Sequence, residues 1–159
     1  MKPIVIPAIL IAAAATLSAV AYAQDRTPDA FLKAQQQALT ERAAQPGWTA
    51  LPGGVLWRRI KGNGKGTHPT AEDTVEVNYE ASLVDGTVVD SSFERGESAT
   101  FPLQGLIPAW TMAIPEAGEG DTIEIAAPSD YAYGDYRTGP IPGGSTLLFK
   151  VELIAVVGR

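Results

Sequence analysis

The segment Pro128-Ser129-Asp130-Tyr131-Ala132-Tyr133-Gly134 sets two phenols two positions apart, between a β-like run and a Gly/Pro-rich stretch. If it continues the strand before it, Tyr131 and Tyr133 lean to the same side. If it is a loop, it still holds a phenol at the rim of whatever the neighbouring strands enclose. A buried phenol keeps its ring in apolar surroundings and finds a partner for its O–H. That chemistry suits a shallow apolar pocket with one polar donor, and not a metal site or a nucleophile. Other reactive groups are scarce. The chain has no Cys, which removes disulfides, thiol catalysis and Cys-ligated zinc. His68 is the only histidine, so a His-based triad or a multi-histidine metal site is hard to build. Beside Pro69 in a polar turn, it reads as a solvated loop residue.

The elements around these residues begin after a leader. Lys2 gives a positive start, Ile4 to Leu17 is an apolar run broken only by Pro7 and Thr16, and Ala21-Tyr22-Ala23 supplies a small-x-small site. Residues 1–23 therefore read as a signal peptide cut after Ala23, which predicts a periplasmic or secreted protein with no stable membrane anchor after cleavage. An uncleaved anchor is the competing reading, since Pro3 to Ala23 is nearly long enough to span a bilayer. Removing the leader deletes Lys2 and no acid, moving the formal charge from −6 to −7. Such a chain, with scattered Lys and Arg, argues against nucleic acid as a partner.

Thr27-Pro28-Asp29 predicts a helix start, with a hydroxyl cap, proline in the first turn and an acid beside it. The helix should run to about Ala44 and stop at Pro46-Gly47, forming an N-terminal extension over 24–47. Its apolar stripe of Phe31, Leu32, Ala34, Ala38 and Leu39 is thin. It packs on the domain or pairs with a second copy, and the thin stripe favours a monomer over a dimer.

From Val55 the pattern becomes strands and turns. Val55 to Ile60 is a first strand. Val75, Val77, Tyr79, Ala81 and Leu83 alternate with Glu76, Asn78, Glu80 and Ser82, the period of a strand with one buried face. Asp85-Gly86 favours a tight turn returning through Thr87 to Asp90. Ile107 to Ile114 reads as a short helix opened by Pro108 and ended by Pro115. Asp121 to Ala127 and Thr146 to Val156 alternate again. The result is an α+β domain over 48–159: an antiparallel sheet of about five strands wrapped around one short helix.

Five segments in order, Val75-Glu76-Val77-Asn78-Tyr79, Asp85 to Ser92, Leu106-Ile107-Pro108-Ala109-Trp110, Gly139-Pro140-Ile141-Pro142 and Ser145 to Leu153, join the tyrosine segment. Together they resemble the FKBP-type peptidyl-prolyl cis–trans isomerases, over roughly Leu51 to Val157. The leader and helix look like those of exported bacterial members. The resemblance implies that Trp110 is the floor of a pocket for a proline ring. Tyr79, Phe101, Leu106, Ile107, Ile141 and Phe149 would be its apolar wall, and Tyr133 O–H and Ile107 N–H its donors to substrate. Asp90 would be the pocket acid and Arg95 the base near it, tying the wall to Tyr79. Tyr131 is then structural packing. Taken alone, Trp110, Leu106 and Phe149 also read as plain core, Asp90 as a turn cap, and Arg95 as part of a solvated loop.

The implied substrates are proline-containing unfolded or partly folded polypeptides, with macrolides of the FK506 type as inhibitors. Rotation about X-Pro makes and breaks no bond, so it needs no cofactor and no metal. The chain departs from the family at Val89, where Phe is usual before the acid, and at Ala99, Ala109, Pro140 and Gly143-Gly144. Those changes bear on rate, substrate preference and inhibitor affinity. The alternative from another class is a non-catalytic binding module or chaperone using the same pocket.

Overall fold

The structure, a computed structural model, describes residues 28–158. The expected leader, its cleavage site and the Thr27 cap lie outside the described residues. Helix α1 spans Pro28–Ala43, with Asp29 in its first turn. Its buried residue is Gln35, and Leu32 of the expected stripe is 52% exposed. Half-buried Phe31, Ala34, Ala38, Leu39 and Arg42 surround Gln35 at helical spacing. The helix therefore lies on the domain, and the centre of its contact face is an amide rather than an apolar side chain.

Seven strands follow: β1 (Thr49–Ala50), β2 (Leu56–Lys61), β3 (Thr74–Leu83), β4 (Val88–Ser91), β5 (Ala99–Pro102), β6 (Thr122–Ala127) and β7 (Leu147–Val157). They form one antiparallel sheet in the order β1-β2-β6-β7-β3-β4, with β5 also pairing β3. The five expected strands are present, and the expected count of about five is corrected to seven. Of the added strands, β1 holds two residues, too few to show a period of two, and β5 holds four and ends in Pro102, a residue that demotes a short run as a strand signal.

The central pair is β3 and β7. Alternation turns Val75, Val77, Tyr79 and Ala81 of β3, and Leu147, Phe149, Val151 and Leu153 of β7, to the buried face. The register sets Tyr79 beside Val151 and Ala81 beside Phe149. The Asp85-Gly86 turn forms as its residues predict: Gly86 takes φ +87°, and Leu83 N donates to Thr87 O at 2.9 Å. Helix α2 is the single turn Ser92–Arg95, and α3 spans Pro108–Ala113. Helix α3 buries Ala109, Trp110 and Ala113 in the core shared with β3, β6 and β7. It passes into a tighter turn over Ile114–Glu116, which contains Pro115.

Strands β4 and β5 lie along the same edge of β3, with Ser91 opposite Glu80 and Ala99 opposite Val77. Between them the chain leaves the ladder to make α2. Ser91 Oγ caps that turn, accepting from Glu94 N at 3.2 Å, and Gly96 closes it at φ +72°. The gap leaves the Tyr79 N–H without a strand partner. Buried Ser92 fills the vacancy: its Oγ accepts from Tyr79 N at 2.8 Å and donates to Asn78 Oδ1 at 3.3 Å. A side chain thus replaces the missing ladder bond.

Candidate functional site

Four aromatic rings from four elements meet on the buried face. Trp110 of α3 is 5% exposed and packs edge-to-face with Tyr79 of β3 at 5.3 Å, Phe149 of β7 at 5.5 Å and Phe101 of β5 at 6.1 Å between centroids. Tyr79 and Phe101 also meet edge-on at 5.9 Å. Edge-to-face contacts match the positive ring edge to the negative ring face. The Trp110 Nε1–H is buried with no hydrogen-bond partner among the described residues, where packing alone holds the indole. Val89 and Ile141 are buried in the same cluster, and Leu106, Ile107, Tyr131 and Tyr133 pack against it half-exposed.

A polar unit is set into this apolar wall. Tyr79 donates its phenol O–H to Asp90 Oδ2, while Arg95 Nη1 pairs with Asp90 Oδ1. Arg95 Nη2 donates back to the Tyr79 oxygen at 3.1 Å, and its guanidinium lies 5.6 Å from the Tyr79 ring centroid. Burial, then the bond to Asp90, pushes the Tyr79 phenol up to about 12, so it stays a neutral donor. Arg95 therefore joins the acid and the wall, although it stands on an exposed turn. Asp90 caps no turn, since Ser91 does that.

The local chain explains how Asp90 faces inward. In the β3–β4 ladder, Ala81 lies opposite Asp90 but Ser82 lies opposite Val88, so Val89 is an extra residue, a β-bulge. A bulge breaks the strict alternation of a strand and re-aims side chains. Here it lets neighbouring Val89 and Asp90 both turn toward the cluster, with Val89 at 9% exposure and the Asp90 side chain at 13%.

Two donors beside the cluster are unspent. Pro108 disfavours helical backbone at Ile107, which sits at φ −60°, ψ 147° as the cap of α3. Its carbonyl accepts from Trp110 N at 3.0 Å, but its own N–H has no partner among the described residues. The Tyr133 hydroxyl also lacks a hydrogen-bond partner there. Burial, and then the nearby Asp90 charge, push its pKa up, so it too remains a neutral donor.

The tyrosine segment is a loop. Strand β6 ends at Ala127, and Ser129–Tyr131 forms a tight turn. Tyr131 covers Gly53, where an added Cβ would lie 1.9 Å from its ring, so its ring is spent on the Pro52–Gly54 turn. Ile141 is 2% exposed and held by a bridge to Thr138, with bonds of 2.9 and 3.0 Å. Every residue that the family resemblance assigns to the site thus lies in or against one cluster or its polar unit. Sequence reasoning missed Ser92 and the Val89 bulge. The Ser91-Ser92 pair was visible only as a turn signal.

Residues 65–154 match the sequence profile of the FKBP-type peptidyl-prolyl cis–trans isomerases. The chain belongs to this family. It is 41% identical to the outer membrane protein MIP of Legionella longbeachae over 129 residues, covering 80% of this chain and 52% of that protein. It is 41% identical to the FKBP-type 22 kDa peptidyl-prolyl cis–trans isomerase of Escherichia coli over 120 residues, covering 75% and 58%. The chain spans about half the length of the curated relatives it matches. Among solved structures, a peptidyl-prolyl cis–trans isomerase from Pseudomonas syringae superposes with a TM-score of 0.75 at 34% identity, covering 83% of this chain and 97% of that one. FkpA from Escherichia coli gives 0.76 at 35%, covering 79% and 59%. Among the described residues of this FKBP-family chain, no helix is long and apolar enough to cross a membrane.

Proposed function

We propose that this FKBP-family chain is a prolyl isomerase that accelerates X-Pro rotation in unfolded or partly folded polypeptides. The observation that carries this reading is the apolar four-ring cluster with two neutral, unspent donors packed beside it. X-Pro rotation crosses a barrier near 18–20 kcal/mol because amide resonance is lost. A dry apolar site disfavours the charge-separated planar amide relative to the less polar twisted form. Fixed donors that meet the twisted geometry better than the planar one lower the barrier further. In this reading the proline ring lies on Trp110, walled by Tyr79, Val89, Phe101, Leu106, Ile141 and Phe149. Tyr133 O–H and Ile107 N–H donate to substrate carbonyls, and Asp90 with Arg95 fixes Tyr79. Macrolides of the FK506 type would occupy the same site.

Export follows from the leader: removal after Ala23 would release a monomer made of the extension 24–47 and the domain 48–159. Uncatalysed isomerisation takes about 10–100 s, slow enough to limit the folding of exported proteins. The test is a proline-limited refolding assay. Catalytic amounts should accelerate the slow phase. Trp110→Ala and Asp90→Ala, checked as folded by circular dichroism, should each cut kcat/KM by about tenfold or more, equal to ~1.4 kcal/mol of transition-state stabilisation. Help only at stoichiometric amounts, unchanged in both variants, would sink the enzymatic reading.

A further inference from the structure

Helix α1 reaches the domain where the Tyr133 loop rejoins the sheet. The pairings of β7 with β3 and with β6 both begin at Leu147, so Thr146 stands one residue beyond either ladder. Thr146 is 2% exposed, and its buried N–H needs an acceptor that the sheet does not provide. Gln35 supplies it: Oε1 accepts from Thr146 N at 2.9 Å, and the Gln35 carbonyl accepts from Thr146 Oγ1 at 3.5 Å. Gln35 Nε2 donates back to Phe31 O at 3.4 Å, which fixes the amide orientation.

From Thr146 the restraint runs into the loop by short steps. Ser145 Oγ donates to Pro142 O at 2.7 Å, and Gly144 N donates to Gly134 O at 2.9 Å, next to Tyr133. Gly143 lies against the Asp135 carbonyl, with room for no side chain: a Cβ there would sit 2.0 Å from that oxygen. Gly144, at φ +77°, is covered by Leu32 of α1, whose Cδ2 would lie 3.0 Å from an added Cβ. Gly144 is thus covered from outside by Leu32 and Phe31 of α1, while Gly143 packs on the loop's own Asp135.

We propose that Gln35 is a positioning residue for the isomerase pocket, holding Thr146 so that the loop presents Ile141 and Tyr133 to substrate; this rests on the isomerase reading above. Helix α1 is then part of the working site rather than only an appendage to it. The test compares Gln35→Met, which keeps length and removes the acceptor, with Gln35→Glu, which keeps an acceptor for the Thr146 N–H. Amide exchange measured by NMR should rise about tenfold at Thr146 and Gly144 in Gln35→Met, while Val151 in the core stays protected. With a short X-Pro peptide, Gln35→Met should lower kcat/KM by about tenfold, and Gln35→Glu should restore most of both effects.

Equal acceleration of exchange at Val151 would reduce Gln35 to a stability residue and overturn the proposal. So would unchanged exchange at Gly144, or peptide kinetics unaltered in Gln35→Met while the parent is active. A parent without isomerase activity counts against the isomerase reading instead, and the exchange data then decide alone whether Gln35 orders the loop.

Discussion

Two carboxylates, Asp90 and Asp121, each meet an arginine, and they differ in what else surrounds them. Asp121 is 2% exposed and bonds mostly to backbone. Gly64 N donates to Oδ1 at 3.0 Å, and Gly118 N and Arg59 Nε each donate to Oδ2 at 2.9 Å. Burial pushes its carboxyl up, but the bonds from Gly118, Gly64 and Arg59 together outweigh burial and hold it below the usual carboxylate range. It pins the turn after β2 to the turn after α3. Among the described residues Asp90 bonds to side chains alone, a phenol and a guanidinium, at the edge of an apolar cluster. A carboxylate spent on backbone fixes where loops run. One spent on side chains fixes what a pocket wall presents.

That contrast is broken most directly at Asp121. Asp121→Ala leaves two backbone N–H groups unmatched, while Arg59 keeps its bond to Glu116 O at 3.1 Å. At about 1–3 kcal/mol for each donor, stability should fall by about 2–6 kcal/mol, read as a lower denaturation midpoint in urea. Isomerase activity per folded molecule, measured well below that midpoint, should stay near the parent value. Loss of activity without loss of stability would erase the distinction between the two acids. A smaller and mixed effect is expected at Ser92. Ser92→Ala leaves the Tyr79 N–H buried and unpaired, costing about 1–3 kcal/mol. It also frees the strand that carries the phenol, so activity should fall along with stability. A Ser92→Ala protein with parental kcat/KM would show that the wall tolerates a broken ladder.

What was legible in the sequence follows the same division. The alternation of Val75 to Leu83 and of Thr146 to Val156 was readable because one face of each strand is buried, and a period of two survives any register. That Asp90, Tyr133 and Trp110 stand near one another was readable through the family's ordered segments. Features created by register or by contact were not. The bulge at Val89 exists only in its pairing with β3. Strand β5 alternates over four residues only and ends in Pro102, a run too short and too proline-bound to stand out. Gln35 stands outside the thin stripe of Phe31, Leu32, Ala34, Ala38 and Leu39, yet the fold buries it because Thr146 needs an acceptor. Asp121 looked like the start of a strand, and its three donors lie up to 62 positions away.

His68 gives the smallest effect and the sharpest sign. It was read as a solvated turn residue, and it is exposed, but both ring nitrogens face carbonyl oxygens: Nδ1 lies 2.9 Å from Pro115 O and Nε2 2.9 Å from Gly64 O. A carbonyl only accepts, so satisfying both contacts requires both nitrogens protonated, an imidazolium clasp across the turns that Asp121 joins. The Gly64 and Pro115 carbonyls accordingly raise its pKa above the usual 6.5, against slight burial, with Asp121 adding to the rise and Arg59 opposing it. A folded pKa above the unfolded one means that this contribution is fully present below about pH 6.5 and fades as pH rises through the folded value. The difference in stability between the parent and His68→Gln should therefore shrink between acidic and mildly alkaline pH, followed by urea midpoints in low salt. A difference that grows with pH would show the imidazole bound in its neutral form, and Asp121 would then hold the two turns without a cationic partner at His68.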